Sequence, residues 1–313
     1  MLAIAKLLSK MCQKCVLLFN TVKVENVSSR TAADGPKSST NIADEMQTLL
    51  SRLSAKNEDF VRSVCILLHQ EPIIILYTAD QIDDLRLLCS RDCTPSLRTV
   101  LGVDRTFNLS SLFVTMMVYK NKKFVRKATQ ETPIFIGPIM LHGDGKFGTY
   151  LHFFTTVNAA LNGSVVHANE FMYDGLVVGS DEESALVNAA KVAFPSSNNL
   201  YCMLHAKDNV RHHLTTIGVP SAARESVLAR LFGSSGISES PDEYAMDNRI
   251  ADLLQFVRLH NIDVVSYLQD CVLPKIANNN RLRWREQWIG QHQWTNNNCE
   301  SANSLLKLQV RYD

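Results

Sequence analysis

The chain has 313 residues, of which 46% are hydrophobic and 20% charged, a composition typical of a soluble globular protein and not of a disordered one. Basic and acidic residues almost balance, and the formal net charge of +1 gives no indication of a nucleic-acid partner. The eight cysteines are spread thinly, which excludes a small disulfide-stapled scaffold and favours reduced thiols inside a cell.

Residues 1–45 are expected to form an amphipathic helix followed by a flexible linker. Lys6, Lys10 and Lys14 interrupt the apolar start, which argues against both an export signal and a membrane span. Cys12 and Cys15 make a single Cys-x-x-Cys with no second pair nearby, so zinc is not expected there.

The next segment, 46–96, is expected to be helical or mixed. The apolar spacing over 46–70 predicts a helix, which Pro72 ends. Ile73–Thr78 is rich in β-branched residues and predicts a strand, and a second helix is expected after it.

From Leu97 to His205 the pattern alternates between strands and helices. Three strands joined by short turns predict an antiparallel meander, and two helices alternating with two more strands follow it. The order β-β-β-α-β-α-β predicts a mixed five-stranded sheet with flanking helices. The predicted strands are 97–104, 111–121, 133–143, 176–178 and 199–206, and the predicted helices are 146–163 and 182–194.

The segment 206–294 shows helical spacing only, and it predicts an all-α insertion of roughly ninety residues. A last helix is expected within 295–313, with Glu300 in its first turn. The fold class predicted is therefore α/β, with an all-α insertion before a final helix that carries Glu300.

Three acids occupy positions that the predicted fold brings together. Asp104 ends the first strand of the meander, Asp181 follows the fourth strand, and Glu300 begins the last helix. Ligands bind beyond the carboxyl ends of strands in open α/β sheets, and three carboxylates suit two divalent metal ions and phosphoryl transfer. The structural alternatives are a turn residue for Asp104, a helix N-cap for Asp181, and a favourable charge at a helix start for Glu300.

Five sequence stretches resemble the MULE transposase domain of Mutator-type cut-and-paste elements, which has a ribonuclease H-like fold. They occur in that family's order and at its spacings, and they span Leu97 to about Leu308. The most specific are Asp104 with Thr106 and Phe107, the Gly-x-Asp-x-Glu pattern at Gly179, and the Thr-Asn-Asn-x-x-Glu-Ser setting of Glu300. The stretches are VLGVDRTFNLSSLFVT, PIMLH, GLVVGSDEESALVNAAKVAFP, LYCMLHAKDN and WTNNNCESAN.

The resemblance implies a nuclear DDE-type enzyme that cuts DNA at element ends and joins them to a target. It implies Asp104, Asp181 and Glu300 as ligands of two Mg²⁺ or Mn²⁺ ions, and a homo-oligomer on DNA. No membrane association is expected. We expect a partial copy, because neither of the zinc modules that often flank this domain is visible in the sequence. The alternative is a domesticated transposase-derived protein that binds DNA or a protein partner and catalyses nothing.

Four other residues are candidates for supporting or DNA-contacting roles. Glu183 rivals Asp181 as a ligand, although a capping-box role fits its position near a helix start. Cys202 and His205 match the family's Cys-x-x-His; they are interpreted as a structural or target-contacting pair, and bound zinc is not favoured. His142 either faces the same cleft or is a satisfied core histidine.

A basic and aromatic stretch, RLRWREQW, lies near the end of the insertion. It predicts either base stacking and phosphate contacts or a packed helix with a solvated basic face, and the second interpretation is preferred.

Overall fold

The computed structural model describes residues 51, 60–66, 71–90, 93–109, 112–127, 129–163, 176–260, 263–290 and 292–311. The predictions for residues 1–45, including those for Cys12 and Cys15, lie outside the described residues.

A seven-stranded mixed sheet forms the centre of the fold. The strands lie side by side in the order β1-β2-β5-β4-β3-β6-β7. The first five strands in this order, from β1 across to β3, pair antiparallel with their neighbours. The β3–β6 and β6–β7 pairs are parallel. The strands are β1 (Val61–Cys65), β2 (Ile73–Leu76), β3 (Leu101–Leu109), β4 (Leu112–Lys120), β5 (Ile134–His142), β6 (Val177–Ser180) and β7 (Asn198–Tyr201).

The helices follow the predicted order. Gly163 ends α2 with a positive φ of 72°, as expected for a helix-ending glycine. The helices are α1 (Ala79–Cys89), α2 (Phe147–Asn162), α3 (Ser184–Ala193), α4 (Met203–Thr216), α5 (Ser221–Phe232), α6 (Glu243–Leu259), α7 (Val265–Tyr267), α8 (Leu273–Arg285) and α9 (Asn297–Arg311). A π-helical turn (Leu268–Val272) joins α7 to α8, and short 3₁₀ turns lie at Ile237–Glu239 and Gln287–Ile289.

The predicted α/β architecture with a mixed sheet is confirmed, but the number of strands was wrong. The sheet has seven strands, because β1 and β2 extend the meander by pairing onto β5. The helix predicted over 46–70 is wrong at Val61–Cys65, which is β1. Phe60, Val64 and Leu67 also fit helical spacing, and pairing with β2, the next strand in the chain, selects the extended form.

Both faces of the sheet are buried. Helices α1, α2 and α3 cover one face, with Tyr150, Phe153 and Phe154 fully buried in that core. Helix α9 covers part of the other face, where Cys299, Ala302 and Leu306 pack on the antiparallel strands. The site described below lies where α9 crosses β3.

The helical part forms a separate core. It is built from α4 to α8, with Leu253, Val257 and Leu268 among its buried residues. No strand occurs among the described residues of 206–294, as predicted. Among the described residues, no helix has the length and apolar character needed to cross a membrane.

Candidate functional site

Asp104 lies in the interior of β3, and the prediction that it ends the strand was wrong. Strand β3 continues to Leu109 because its far end pairs with the start of β4. Asp104 is only 8% exposed, and Asn303 of α9 donates a hydrogen bond from Nδ2 to its Oδ2 over 2.6 Å. The carboxylate therefore faces the helix that carries Glu300.

Asp181 directly follows β6, as predicted, but it is not the N-cap of α3. That helix begins at Ser184 and its N-cap is Glu183, so the capping alternative for Asp181 was wrong. The Oδ1 atom of Asp181 is buried and accepts no hydrogen bond from any described residue. A buried carboxylate oxygen without a partner is costly, and it suits a site that a cation completes.

Glu300 lies in the first turn of α9, as predicted. Its side chain is half exposed, and Oε1 lies 3.9 Å from Nε2 of His205. His205 is in the first turn of α4, directly after β7. The two helix starts thus meet beside the carboxyl ends of the parallel strands.

The segment before α9 fixes this position by close packing. The Trp294 ring packs directly on Gly179, where a side chain on the strand would collide with it. The backbone carbonyl of Trp294 accepts a hydrogen bond from Met203 N over 3.2 Å. Asn296 N–H lies 3.3 Å from Cys202 Sγ, to which it donates.

A second close contact between α9 and the sheet lies at Gly102 of β3. A Cβ there would lie 2.7 Å from Cys299 Sγ, so only glycine lets α9 pack this near β3. Glycines on two neighbouring strands therefore position the start of the helix that contains Glu300.

The charges of the site are strongly coupled. Burial raises the pKa of Asp104, the charge of Asp181 and to a smaller extent that of Glu300 add to the rise, His205 opposes it, and the resulting pKa is about 7. The pKa of His205 is raised to about 9, mainly by its hydrogen bond with Cys202 and also by Asp181 and Glu300. His205 thus interacts electrostatically with all three carboxylates, and among the described residues Glu300 is the one of them within ion-pair distance.

Cys202 and His205 lie together at the start of α4 and each shifts the pKa of the other, which agrees with the preferred interpretation of a structural pair. Burial raises the pKa of the Cys202 thiol, but hydrogen bonds from His205 and from Asn296 N–H outweigh it, and the net pKa is lowered. The strand predicted over 199–206 was wrong beyond Tyr201, because Cys202 is the N-cap of α4.

The carboxylate of Glu183 is bound by Tyr150 and Arg105. Its Oε1 accepts a hydrogen bond from Tyr150 OH over 2.8 Å, and its Oε2 lies 3.3 Å from Arg105 Nε. As the N-cap of α3 it makes no side-chain cap bond, so the predicted capping box was wrong. Because Tyr150 and Arg105 engage its carboxylate, the structure favours a tethering role over metal ligation.

His142 is fully buried and both ring nitrogens have partners. Nε2 lies 2.8 Å from Thr115 Oγ1, and Nδ1 lies 2.5 Å from the Asp144 carbonyl. Burial lowers its pKa to about 4, so the ring is neutral at physiological pH. These contacts agree with the alternative that His142 is a core histidine with both ring nitrogens hydrogen-bonded.

The basic and aromatic stretch RLRWREQW packs largely inward, which agrees with the preferred interpretation of a packed helix. Arg283 is buried and donates to the Ser238 carbonyl over 2.8 Å. Trp284 Nε1 donates to the Ser240 carbonyl over 3.1 Å. Arg281 and Arg285 are the exposed basic residues of this stretch, and Arg281 pairs with Glu243 over 2.6 Å.

The donor set fits Mg²⁺ or Mn²⁺ in chemistry, because it consists of hard carboxylate oxygens and includes the unpartnered Asp181 Oδ1. The side chains do not yet form a coordination shell. In the part of the chain that the structure describes, no group of three or more His, Cys, Asp or Glu side chains is arranged to hold a metal ion.

Several supporting residues were not predicted. Asn303 lies three positions after Glu300, on the same side of α9, and helical spacing could have found it. Arg105 and Tyr150 could not have been found that way, since their contact with Glu183 joins three separate elements.

No protein-family model matches this chain, and no curated protein is significantly similar to it. The resemblance to Mutator-type transposases therefore stays a prediction based on the motifs.

Proposed function

We propose that this chain is the catalytic domain of a DDE-type DNA transposase of the Mutator-like, ribonuclease H-like group. The observation that carries the proposal is geometric: three acids from distant parts of the sequence lie at one place in the fold. Asn303, one turn after Glu300 on α9, binds Asp104 of β3, and Asp181 follows β6, the strand paired with β3. The antiparallel strands beside parallel β6 and β7 support the ribonuclease H-like assignment.

The three acids would hold two divalent cations in this proposal. When bound, Mg²⁺ or Mn²⁺ would stabilise charge on the phosphate and lower the pKa of the attacking water or 3′-hydroxyl. Burial and the negative charge of Asp181 already raise the pKa of Asp104, and bound cations would lower it.

Each residue of the site has a distinct role in this proposal. Asp104 is oriented by Asn303, and Asp181 offers an oxygen that no described residue uses. Glu300 is half exposed, so it can turn toward substrate and orient or deprotonate the attacking hydroxyl. His205 holds positive charge among the acids and positions Glu300.

The remaining elements of the proposal follow from the resemblance. The partner is DNA, as element ends and target, and the protein acts as a homo-oligomer in the nucleus. The chemistry is in-line attack on a phosphodiester, by water for cleavage and by a 3′-hydroxyl for joining.

The second candidate is a domesticated, non-catalytic DNA- or protein-binding protein. It is favoured by two observations: among the described residues the acids do not form a coordination shell, and His205 already supplies positive charge beside them.

A cleavage assay separates the two candidates. Purified protein is incubated with nicked or branched DNA and Mn²⁺, and the test variant is Asp104→Asn. The matched control is Asp252→Asn, because Asp252 is exposed on α6, far along the chain from the site. The proposal predicts metal-dependent cleavage by the wild type and the control but not by Asp104→Asn. Binding without cleavage, unaffected by metal or by either substitution, would support the second candidate.

A further inference from the structure

The turn between β6 and α3 contains three consecutive acids, Asp181, Glu182 and Glu183, and we call it the acid turn. Asp181 is the proposed cation ligand, and Glu183 is bound by residues of α2 and β3. Glu182 is bound by the helical part of the molecule instead. Its Oε2 accepts a hydrogen bond from Asn209 Nδ2 over 3.0 Å and lies 2.8 Å from Lys275 Nζ. The acid turn therefore contacts two separate parts of the fold.

The two partners of Glu182 come from two different helices. Asn209 lies on α4 one turn after His205, so one face of this helix contacts both the acid turn and the start of α9. Lys275 lies in the first turn of α8. The side chains of Lys275 and Glu182 are only 29% and 17% exposed, so solvent screens their attraction less than that of a fully exposed pair.

Helix α8 is itself bound along β7, the last strand of the sheet. The Asn279 side chain accepts a hydrogen bond from Tyr201 N over 3.0 Å and donates one to the Tyr201 carbonyl over 2.8 Å. Asn278 Nδ2 donates to the Asn199 carbonyl over 2.7 Å. Tyr201 pairs with the last residue of β6, directly before the acid turn. Side-chain amides thus fix α8 against the strand and place Lys275 at its carboxyl end.

The other end of α8 makes a comparable contact away from the acids. Arg285 Nη2 donates to Asn198 Oδ1 over 3.1 Å. Asn198 begins β7, so it lies at the opposite end of the parallel strands from the acid turn. Lys275 and Arg285 therefore each bring one positive charge from the same helix to the sheet, but only Lys275 contacts the acid turn.

We propose that Glu182, held by Lys275 and Asn209, is a positioning residue through which the helical part fixes the acid turn and so Asp181. The inference rests on the proposed function for the identity of the cations. Asp181 and Glu182 are adjacent, so a shift of the Glu182 backbone displaces the Asp181 carboxylate as well. Ligand geometry must be kept to within about 0.5 Å for function. The helical part then contributes to cation binding without supplying a ligand.

Titration calorimetry with Mn²⁺ tests this role by comparing Lys275→Gln with Arg285→Gln. Each substitution removes one positive charge and one contact between α8 and the sheet. If only charge mattered, both variants would bind Mn²⁺ as tightly as the wild type or slightly more tightly, because a repelling charge is lost. Positioning predicts the opposite for Lys275→Gln, whose Mn²⁺ affinity is expected to fall about three- to tenfold. Arg285→Gln is expected to stay within about twofold of the wild type, since its contact is exposed.

Two further variants complete the test, and circular dichroism and melting temperatures check that each is folded. Lys275→Arg keeps the positive charge and is expected to keep Mn²⁺ affinity within about twofold of the wild type. Asn209→Ala changes no charge and is expected to weaken Mn²⁺ binding by about two- to threefold, and it decides the question if Lys275→Gln does not fold. Unchanged or tighter Mn²⁺ binding by folded Lys275→Gln would overturn the proposal. Equal weakening by Arg285→Gln would also overturn it, because looser packing of α8 would then explain the effect.

Hydrogen exchange of the peptide that contains the acid turn separates this inference from the proposed function, since it needs no metal. Exchange is expected to be faster in Lys275→Gln than in the wild type, and unchanged in Arg285→Gln. If the wild type binds no Mn²⁺, the proposed function fails, but this exchange pattern would still show that Glu182 fixes the acid turn. Unchanged exchange in Lys275→Gln would overturn the positioning role itself.

Discussion

Replacing Asp104 by Asn is expected to stabilise the fold at alkaline pH, even though it removes a residue of the proposed site. Asp104 is buried, and its pKa is raised from 3.8 to about 7 by burial and by Asp181. Asn keeps a carbonyl oxygen that can accept the hydrogen bond from Asn303. The substitution therefore removes an unfavourable buried charge and can keep the hydrogen bond to Asn303.

The size and sign of the expected change in stability follow from the raised pKa of Asp104. A rise of about 3 pKa units corresponds to roughly 4 kcal/mol of destabilisation once the carboxylate is charged. Because the folded pKa lies above the unfolded one, the folded protein holds the extra proton between about pH 4 and pH 7. Stability is lost as the pH rises through that window, and the loss is complete above about pH 7. His205 loses an attractive partner in the variant, so we expect a net gain of about 1–3 kcal/mol at pH 8.

Guanidinium unfolding at about pH 5 and pH 8 measures this gain, with Asp252→Asn as the control for loss of an exposed carboxylate. The gain of Asp104→Asn is expected to be larger at pH 8 than at pH 5, and the control is expected to show no such difference. If Asp104→Asn is no more stable than the wild type at pH 8, the charged Asp104 carboxylate does not destabilise the fold and the reasoning fails.

Three other substitutions test separate parts of the account. Gly179→Ala places a methyl group against the Trp294 ring, and it is expected to cost about 1–3 kcal/mol in unfolding experiments; an unchanged stability would show that the segment before α9 packs differently. Glu183→Gln is expected to cost about 1–2 kcal/mol by weakening its bonds to Tyr150 and Arg105, while calorimetric Mn²⁺ binding persists; loss of Mn²⁺ binding would make Glu183 a ligand. The His205 pKa is raised above its ordinary value, so its contribution is fully present below about pH 6.5 and is lost as the pH rises through about 9; His205→Gln should flatten the pH dependence of stability in that window, and an unaltered profile would contradict the pairing with Cys202 and Glu300.

Local patterning was enough to predict most elements from Leu97 onward. Strands β4 and β5 and helix α2 lie within a residue or two of the predicted bounds, because their apolar periods are unambiguous. The turn from β6 into Asp181 and the first-turn position of Glu300 were predicted for the same reason.

The errors occur where pairing with another strand, or contact between separate elements, decides the local structure. Val61–Cys65 becomes a strand because β2 pairs with it, and β3 extends past Asp104 because β4 pairs with its end. The start of α3 at Ser184 depends on Glu183 being held by Tyr150 and Arg105, which no local pattern contains.

The site was predictable as a set of acids but not as an electrostatic arrangement. Motif order pointed to Asp104, Asp181 and Glu300, yet only the folded structure places His205 among them and Asn303 against Asp104. The close packing of Trp294 on Gly179 also required the coordinates, since the two residues are separated by the whole insertion.

The central claim is that Asp104, Asp181 and Glu300 together bind divalent cations. Isothermal titration of Mn²⁺ into the wild type, Asp104→Asn, Asp181→Asn, Glu300→Gln and the control Asp252→Asn tests it most directly. We predict binding of two ions that the control retains and that each of the three site substitutions weakens by at least about tenfold. Absence of Mn²⁺ binding by the wild type, or binding that survives all three site substitutions, would contradict the account.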